Sequence, residues 1–353
     1  MTLRTPLCDL VGIDHPIVQT GMGYVAYPSL AAATSAAGGL GILASATMDY
    51  DELAKAIVEV RAATDRPFGV NLRADAPDAA ARIDLMAGEG VKVASFAQAP
   101  KPELIARAKD KGLVVIPSIG ARRHAEKVAE WGADAVIVQG GEGGGHTGQV
   151  PTTLLLPQVV DAVGDKLAVI AAGGFFDGRG VVAALAYGAV GVAMGTRFLL
   201  TRESPVGSAV KDFYLSKSVT DTVVTRQVDG VPHRVLRTDL VDELEGSGSA
   251  RSLVRALRNA VAFQRLSRTP WSSIVREGIA MRKSQELSWS QVVMAANTPM
   301  LLRLAMVDDR PDLGVMASGQ VVGVIDDLPS CAELISRLMG EAQDVLAGLG
   351  RIT

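Results

Sequence analysis

The stretch Leu167–Arg197, LAVIAAGGFFDGRGVVAALAYGAVGVAMGTR, decides the fold. Leu167–Ala172 is an apolar run that stops at Gly173-Gly174, and Val190–Met194 is a second run that stops at Gly195-Thr196. Between them Gly178–Tyr187 repeats apolar residues at three- and four-residue spacing and is closed by Gly188, the pattern of a helix with glycine past its end. Strand, glycine turn, helix, strand, glycine turn is the order of a parallel sheet, because only a crossover helix returns the chain to run the second strand in the same direction.

Working outward, six more short runs ending in small or polar residues precede this unit: Pro16–Gln19, Leu40–Ala44, Phe68–Asn71, Val91–Phe96, Leu113–Ser118 and Ala135–Gln139. Helical stretches separate them, among them Ser29–Ala37 behind Pro28, Asp51–Ala63, Pro102–Lys111 and Arg122–Trp131. Eight strands alternating with helices predict a (β/α)8 barrel of the TIM type, a fold that takes about 250 residues. The chain has 353 residues, so an appendage is expected. The alternation stops after Thr201, and the expected division is a barrel from 1–205 and 311–353 with an inserted, mostly helical lid from 206–310. Within the insertion, Val223–Arg226 and Val231–Leu236 around Asp229-Gly230 read as a hairpin, and Glu245–Ala250 (EGSGSA) reads as a flexible joint. Cys331–Leu346 is the expected closing helix.

Composition removes several classes of function. A formal charge of −3 gives no global attraction for nucleic acid or an anionic membrane, and apolar runs are broken before a membrane span is reached. With Cys8 and Cys331 alone and no secretory opening, a disulfide framework and export are not expected; the expected compartment is the cytoplasm. Zinc-protease, paired-cysteine, nucleophile-elbow and P-loop signatures are missing, so no metal is expected. Gly143-x-Gly145-x-x-Gly148 matches a dinucleotide fingerprint, but no helix opens inside it and the strand before it is the sixth of a series, so that reading is rejected.

Strand position then assigns roles. Barrel chemistry sits at the carboxyl ends of the strands, with phosphate held after the seventh and eighth. Gly173-Gly174 and Gly195-Thr196 stand at those two places, and their peptide N–H groups can converge on one phosphate. After the sixth strand, Gln139–Gly148 (QGGEGGGHTG) sets His146 in a glycine run fit for close approach to a planar ligand. His15, His124 and His233 read as incidental. The segment Arg251–Lys283 holds seven Arg and one Lys against Glu277, either a solvated helical face or an anion site. Asp326-Asp327 reads as a loop before a helix start rather than as a catalytic pair.

Pro16–Met22 (PIVQTGM), Gly38–Ile42, Phe68–Asn71, the loop Gln139–Gly148, Ala171–Gly174, Met194–Phe198 and Ser318–Asp326 together resemble the nitronate monooxygenase superfamily, the former 2-nitropropane dioxygenases, which also includes flavin-dependent enoyl reductases. The resemblance implies FMN as cofactor. By position it puts Gln19, Gly21, Met22 and Asn71 against the flavin, Gln139 on its ring, Gly173, Gly174, Gly195 and Thr196 on its phosphate, Gly144 and Gly145 among the cofactor-binding residues, and His146 at the catalytic base. The chain departs from many nitronate-oxidising members at Thr20-Gly21 and at Gly143. Val169–Gly180 and Thr238–Leu244 are similar to an actinobacterial branch tied to steroid-ring (cholesterol) catabolism, which implies desaturation of a coenzyme A thioester; Arg251, Arg255, Arg258 and Arg265 are then candidates for its phosphates. The alternatives are nitronate oxidation with dioxygen, enoyl reduction, and a non-redox barrel that binds or isomerises a phosphorylated ligand. A homodimer is the assembly kept open.

Overall fold

The computed structural model describes residues 3–228, 230–246 and 298–351. These divide into two compact units. The first comprises residues 1–143, 147–205 and 324–353, and the second comprises Gly144–His146 and Val206–Gly323.

The first unit is a closed parallel barrel. Its strands are β1 (Ile17–Gln19), β2 (Leu40–Ala44), β3 (Phe68–Leu72), β4 (Val93–Phe96), β5 (Val114–Ile119), β6 (Ala135–Gln139), β8 (Ala168–Ala172) and β9 (Gly191–Met194), with β7 (Gly145–His146) belonging to the other unit. Each pairs with the next, and β1 closes on β9 through Ile17↔Val192, Val18↔Ala193 and Gln19↔Met194. The eight strands are those expected from the sequence, displaced by at most two residues at an end. Strands buried on both faces need continuous apolar runs, and β2, β3 and β4 are buried at every position.

One end of the barrel is stoppered. The short helix Pro6–Val11 inserts Leu7, Cys8 and Val11 into the cluster formed by Leu40, Ile42, Val93, Ile137 and Ile170. The Thr5 hydroxyl donates to the carbonyl of Val190, just before β9, which locates the stopper at the amino ends of the strands. The carboxyl ends therefore remain for chemistry. The helix Cys331–Leu349 closes the unit, begun by a reciprocal cap in which Ser330 and Glu333 each bond the other's backbone N–H. Cys8 and Cys331 are free and buried.

The second unit carries a three-stranded antiparallel sheet in the order β10 (Thr222–Thr225), β11 (His233–Leu236), β7 (Gly145–His146). The hairpin expected around Asp229-Gly230 is thus present. Two expectations are corrected. Glu245 and Gly246 close the helix Asp239–Gly246 instead of opening a joint, Glu245 being held by the Thr225 hydroxyl; Ser247–Ala250 lie outside the described residues. The glycine run Gln139–Gly148, read as a ligand-approaching loop, contains a short strand: Gly145–His146 pairs with β11, because a ready strand edge supplies backbone partners that a glycine-rich segment lacks by itself. Residues 311–323 stay with this unit: the Val315 N–H bonds the Leu301 carbonyl, and the Leu236 N–H bonds the Met316 carbonyl. Val228, Val235, Val241, Leu301 and Val315 form its core. Among the described residues no helix is long and apolar enough to cross a membrane.

Candidate active site

Within the barrel, the candidate phosphate turns stand at the ends of the last two strands. Ala172 lies opposite Ala193 in the β8–β9 register, so Gly173-Gly174 and Gly195-Thr196 leave the sheet side by side, roughly one strand spacing of 4.8 Å apart. Gly173 and Gly174 have φ of 94° and 85°, the left-handed region that L side chains avoid, and this turns successive N–H groups out of the strand direction. A Cβ at Gly173 would stand 3.0 Å from Thr152 Oγ1 and 3.1 Å from the Gly140 carbonyl, which makes the first turn a close approach as well. The second turn opens a four-residue helix, Thr196–Leu199, with Thr196 buried at its start.

Two polar ties hold these turns. Glu142, in the glycine-rich loop, accepts from the Thr152 N–H at 2.9 Å and from the Thr152 hydroxyl at 2.8 Å; the same hydroxyl lies 3.0 Å from the Gly173 carbonyl. The carboxylate thereby caps the helix Thr152–Val163 and connects the loop after β6 to the turn after β8. On the other side Arg197, only 2% exposed, donates to Asp327 Oδ1 at 2.8 Å, to the Asp327 carbonyl at 2.9 Å and to the Leu200 carbonyl at 2.7 Å. Burial pushes this guanidinium down from its ordinary value while Asp327 pulls it back. Arg337 bonds Asp327 at 2.5 Å and, with Arg197, holds that carboxyl below its usual range. Asp327 is thus a structural anchor, as its place before the helix Cys331–Leu349 suggested.

Past β1, the strand that neighbours β9, Gly21 presses on Asn71: a Cβ at Gly21 would lie 2.4 Å from the Asn71 Cβ. Asn71 donates to Ser95 Oγ at 3.2 Å, and its carbonyl accepts from Ser45 Oγ at 2.8 Å, so three successive strand ends are laced together. The departure at Thr20-Gly21 therefore has a local cause, since any larger residue at 21 displaces Asn71. Gly143 has a comparable one: its missing Cβ leaves room for Gln139, whose Nε2 would otherwise be 2.6 Å away. Gln19 is wholly buried and engages both backbone groups of Ile42, its Nε2 donating to the carbonyl at 3.2 Å and its Oε1 accepting from the N–H at 3.3 Å. Met22 is half-buried, and its Sδ lies 3.4 Å from where a Gly195 Cβ would stand. Tyr24, in the same loop, has a left-handed φ of 62°, an uncommon conformation for a bulky side chain.

The second unit holds Gly144, Gly145 and His146. Gly144 abuts the Ser318–Gly319 backbone so closely that a Cβ would come within 2.5 Å of it. His146 is exposed, and across the β7–β11 register it faces His233, with ring centroids 4.6 Å apart and planes inclined by 44°. Sequence reading passed over His233. No local signal marks it, because its contact is made with a residue 87 positions away. Arg251, Arg255, Arg258 and Arg265 lie outside the described residues. Among the described residues no cluster of potential metal ligands occurs.

The model of one family, nitronate monooxygenase, matches residues 4–82 and 78–341. The chain is 65% identical over 343 residues to a Mycobacterium tuberculosis protein named (3aS,4S,5R,7aS)-5-hydroxy-7a-methyl-1-oxo-octahydro-1H-indene-4-carboxyl-CoA dehydrogenase, covering 97% of each chain. It is 62% identical to the Rhodococcus jostii protein of the same name, covering 99% of each. Among solved structures, FabK from Thermotoga maritima superposes with a TM-score of 0.80 at 35% identity, covering 99% of both chains. With the family model spanning nearly the whole sequence and relatives of this identity matched end to end, the chain belongs to the nitronate monooxygenase family and is an oxidoreductase enzyme on a (β/α)8 barrel.

Proposed function

We propose that the protein is an FMN-dependent dehydrogenase of a coenzyme A thioester carried on a partly degraded steroid ring system. The observation that carries the reading is the end-to-end identity of 65% and 62% to two proteins named as dehydrogenases of a hydroxy-methyl-oxo-indene-carboxyl-CoA. The paired turns Gly173-Gly174 and Gly195-Thr196 support the cofactor. They offer left-handed backbone and a buried threonine where a single phosphate can be held, the need of FMN.

When bound, the flavin supplies a two-electron acceptor, which no side chain of the protein provides. The chain's own residues do the rest. His146 is the base: it takes the proton α to the thioester carbonyl, whose acidity the carbonyl provides. Hydride leaves the β-carbon, the electron pair of the α C–H bond forms the new carbon–carbon double bond, and the imidazole carries the proton away. His146 is suited to this by exposure and by its tether, since three residues from Gly143 confine it to about 10 Å of the barrel's own loop. Gly21, Met22, Asn71 and Gln139, at strand ends of the barrel, are the proposed contacts of a planar ring, and Gly144 and Gly145 are proposed cofactor-binding residues of the second unit. The arginines of the 251–265 segment are the proposed partners of the coenzyme A phosphates. In this reading residues 206–310 act as the substrate-covering part of the molecule, and the enzyme works in the cytoplasm.

The test is anaerobic mixing of the purified protein with the hydroxy-indane-carboxyl-CoA thioester named for the relatives, followed by flavin absorbance. Bleaching of the flavin with formation of an unsaturated thioester is expected, and denaturation is expected to release FMN. Release of FAD, absence of flavin after reconstitution, or efficient oxygen uptake with alkyl nitronates and none with the thioester overturns the proposal.

A further inference from the structure

We infer that His233 is a positioning residue that fixes the plane of the His146 imidazole; the inference rests on His146 being the base. Directly opposed residues of an antiparallel pair project to the same face, so His146 on β7, His233 on β11 and Thr225 on β10 form one row across three strands. The row is anchored at its inner end. Thr225 is 2% exposed; its hydroxyl donates to the Glu245 carboxylate and accepts from the Gln227 N–H at 3.0 Å. His233, in the middle, is 4% exposed, whereas His146, at the outer end, is open to solvent.

The need for such a support comes from the loop itself. His146 follows Gly143, Gly144 and Gly145 and precedes Gly148, so its backbone contributes little to orienting the ring. Gly145 has a φ of 72°, and a Cβ built there points to within 4.0 Å of His233 Nε2, so the same ring that faces His146 also lies beside the preceding residue. A buried ring in the centre of a sheet thus meets two consecutive positions of a segment with no stiffness of its own. A base must hold its acceptor nitrogen along the line of the breaking C–H bond, and errors of about 1 Å cost on the order of 10²-fold in rate.

The experiment uses the flavin-loaded enzyme and the same coenzyme A thioester. His233→Val keeps strand preference and burial but removes the ring; it is expected to slow flavin reduction at saturating thioester about 10- to 100-fold. The half-saturating concentration and the bound flavin stay unchanged. His233→Phe keeps a ring of like size and is expected to stay within about threefold of the parent. In the background of His146→Ala, His233→Val adds no further loss, because a positioning residue acts only through the group it positions. His233→Gln is the second ringless variant should the valine protein not accumulate folded, and the same loss is expected. Parent-like rates in folded His233→Val and His233→Gln overturn the inference while leaving the base assignment intact. A folded but inactive His233→Phe also overturns it, since the ring nitrogens rather than packing then matter. Parent-like flavin reduction in His146→Ala is the separate result that removes the base assignment itself.

Discussion

The two glycine-rich parts of this protein differ in what holds them. The turns after β8 and β9 are fixed by the barrel: their strands are paired, their neighbours are buried, and Glu142, Thr152, Arg197 and Asp327 tie them down. The segment Gly144–His146 leaves the barrel unit and borrows its order from β11 and the Ser318–Gly319 backbone. Glycine in the first case answers a demand made by neighbouring strands. In the second it makes a segment soft enough to be shaped by residues distant in sequence. Substitutions in the two regions should therefore separate stability from catalysis.

The largest expected effect tests that separation at the base. His146→Ala removes an exposed side chain, so the melting temperature and flavin content should match the parent, while the rate of flavin reduction falls about 10²–10⁴-fold. A large drop in melting temperature instead would mean that the segment supports the fold. Next comes the barrel glycine with the tightest fit. A Cβ at Gly41 would stand 1.9 Å from the Ala31 carbonyl, so Gly41→Ala should destabilise by about 1–3 kcal/mol or more in a denaturant titration, with activity lost only in proportion to unfolding. Gly144→Ala sharpens the contrast, since its clash is with the Ser318–Gly319 backbone of the second unit, to which Gly144 belongs; a denaturant titration should show reduced stability, and stopped-flow should show flavin reduction slowed beyond what the unfolded fraction explains.

A smaller effect is expected from the anchor of the second turn, and it depends on pH. Arg337 and Arg197 hold Asp327 below the ordinary carboxylate value of 3.8, so the stability contributed by this carboxylate is complete above that value. It is lost as the pH falls from there through the lower value of the folded protein. Asp327→Asn should therefore be less stable than the parent at neutral pH, and the gap should narrow in thermal melts taken progressively below pH 4. A gap constant with pH would show that the charge of Asp327 is not what matters. The smallest effect belongs to the exposed pair Arg4–Asp9, where Arg4→Ala should leave the melting temperature unchanged within error.

Read along the chain, the barrel was legible because each of its signals is local. An apolar run, a glycine stop and a helical repeat are contained within about thirty residues, and Leu167–Arg197 displays all three. The positions of Gly173, Gly174, Gly195 and Thr196 followed from counting strands. The sheet of the second unit was not legible in the same way. Its hairpin was, through Asp229-Gly230, but the third strand is two residues inside a glycine run and its register is set by a partner far along the chain. Likewise Glu245 looked like the start of a loop, and a hydrogen bond from Thr225 keeps it in a helix.

The sequence by itself determined a parallel barrel, the strand ends that carry small-residue turns, and the one histidine set among glycines. Only the tertiary structure decided that His146 lies against His233, that Gly21 is small because Asn71 needs its space, and that Asp327 anchors Arg197. The physical reason is the range of the interactions: backbone preference and hydrophobic period act within one element, whereas ring contacts, close backbone approach and buried ion pairs exist only once separate elements have been brought together.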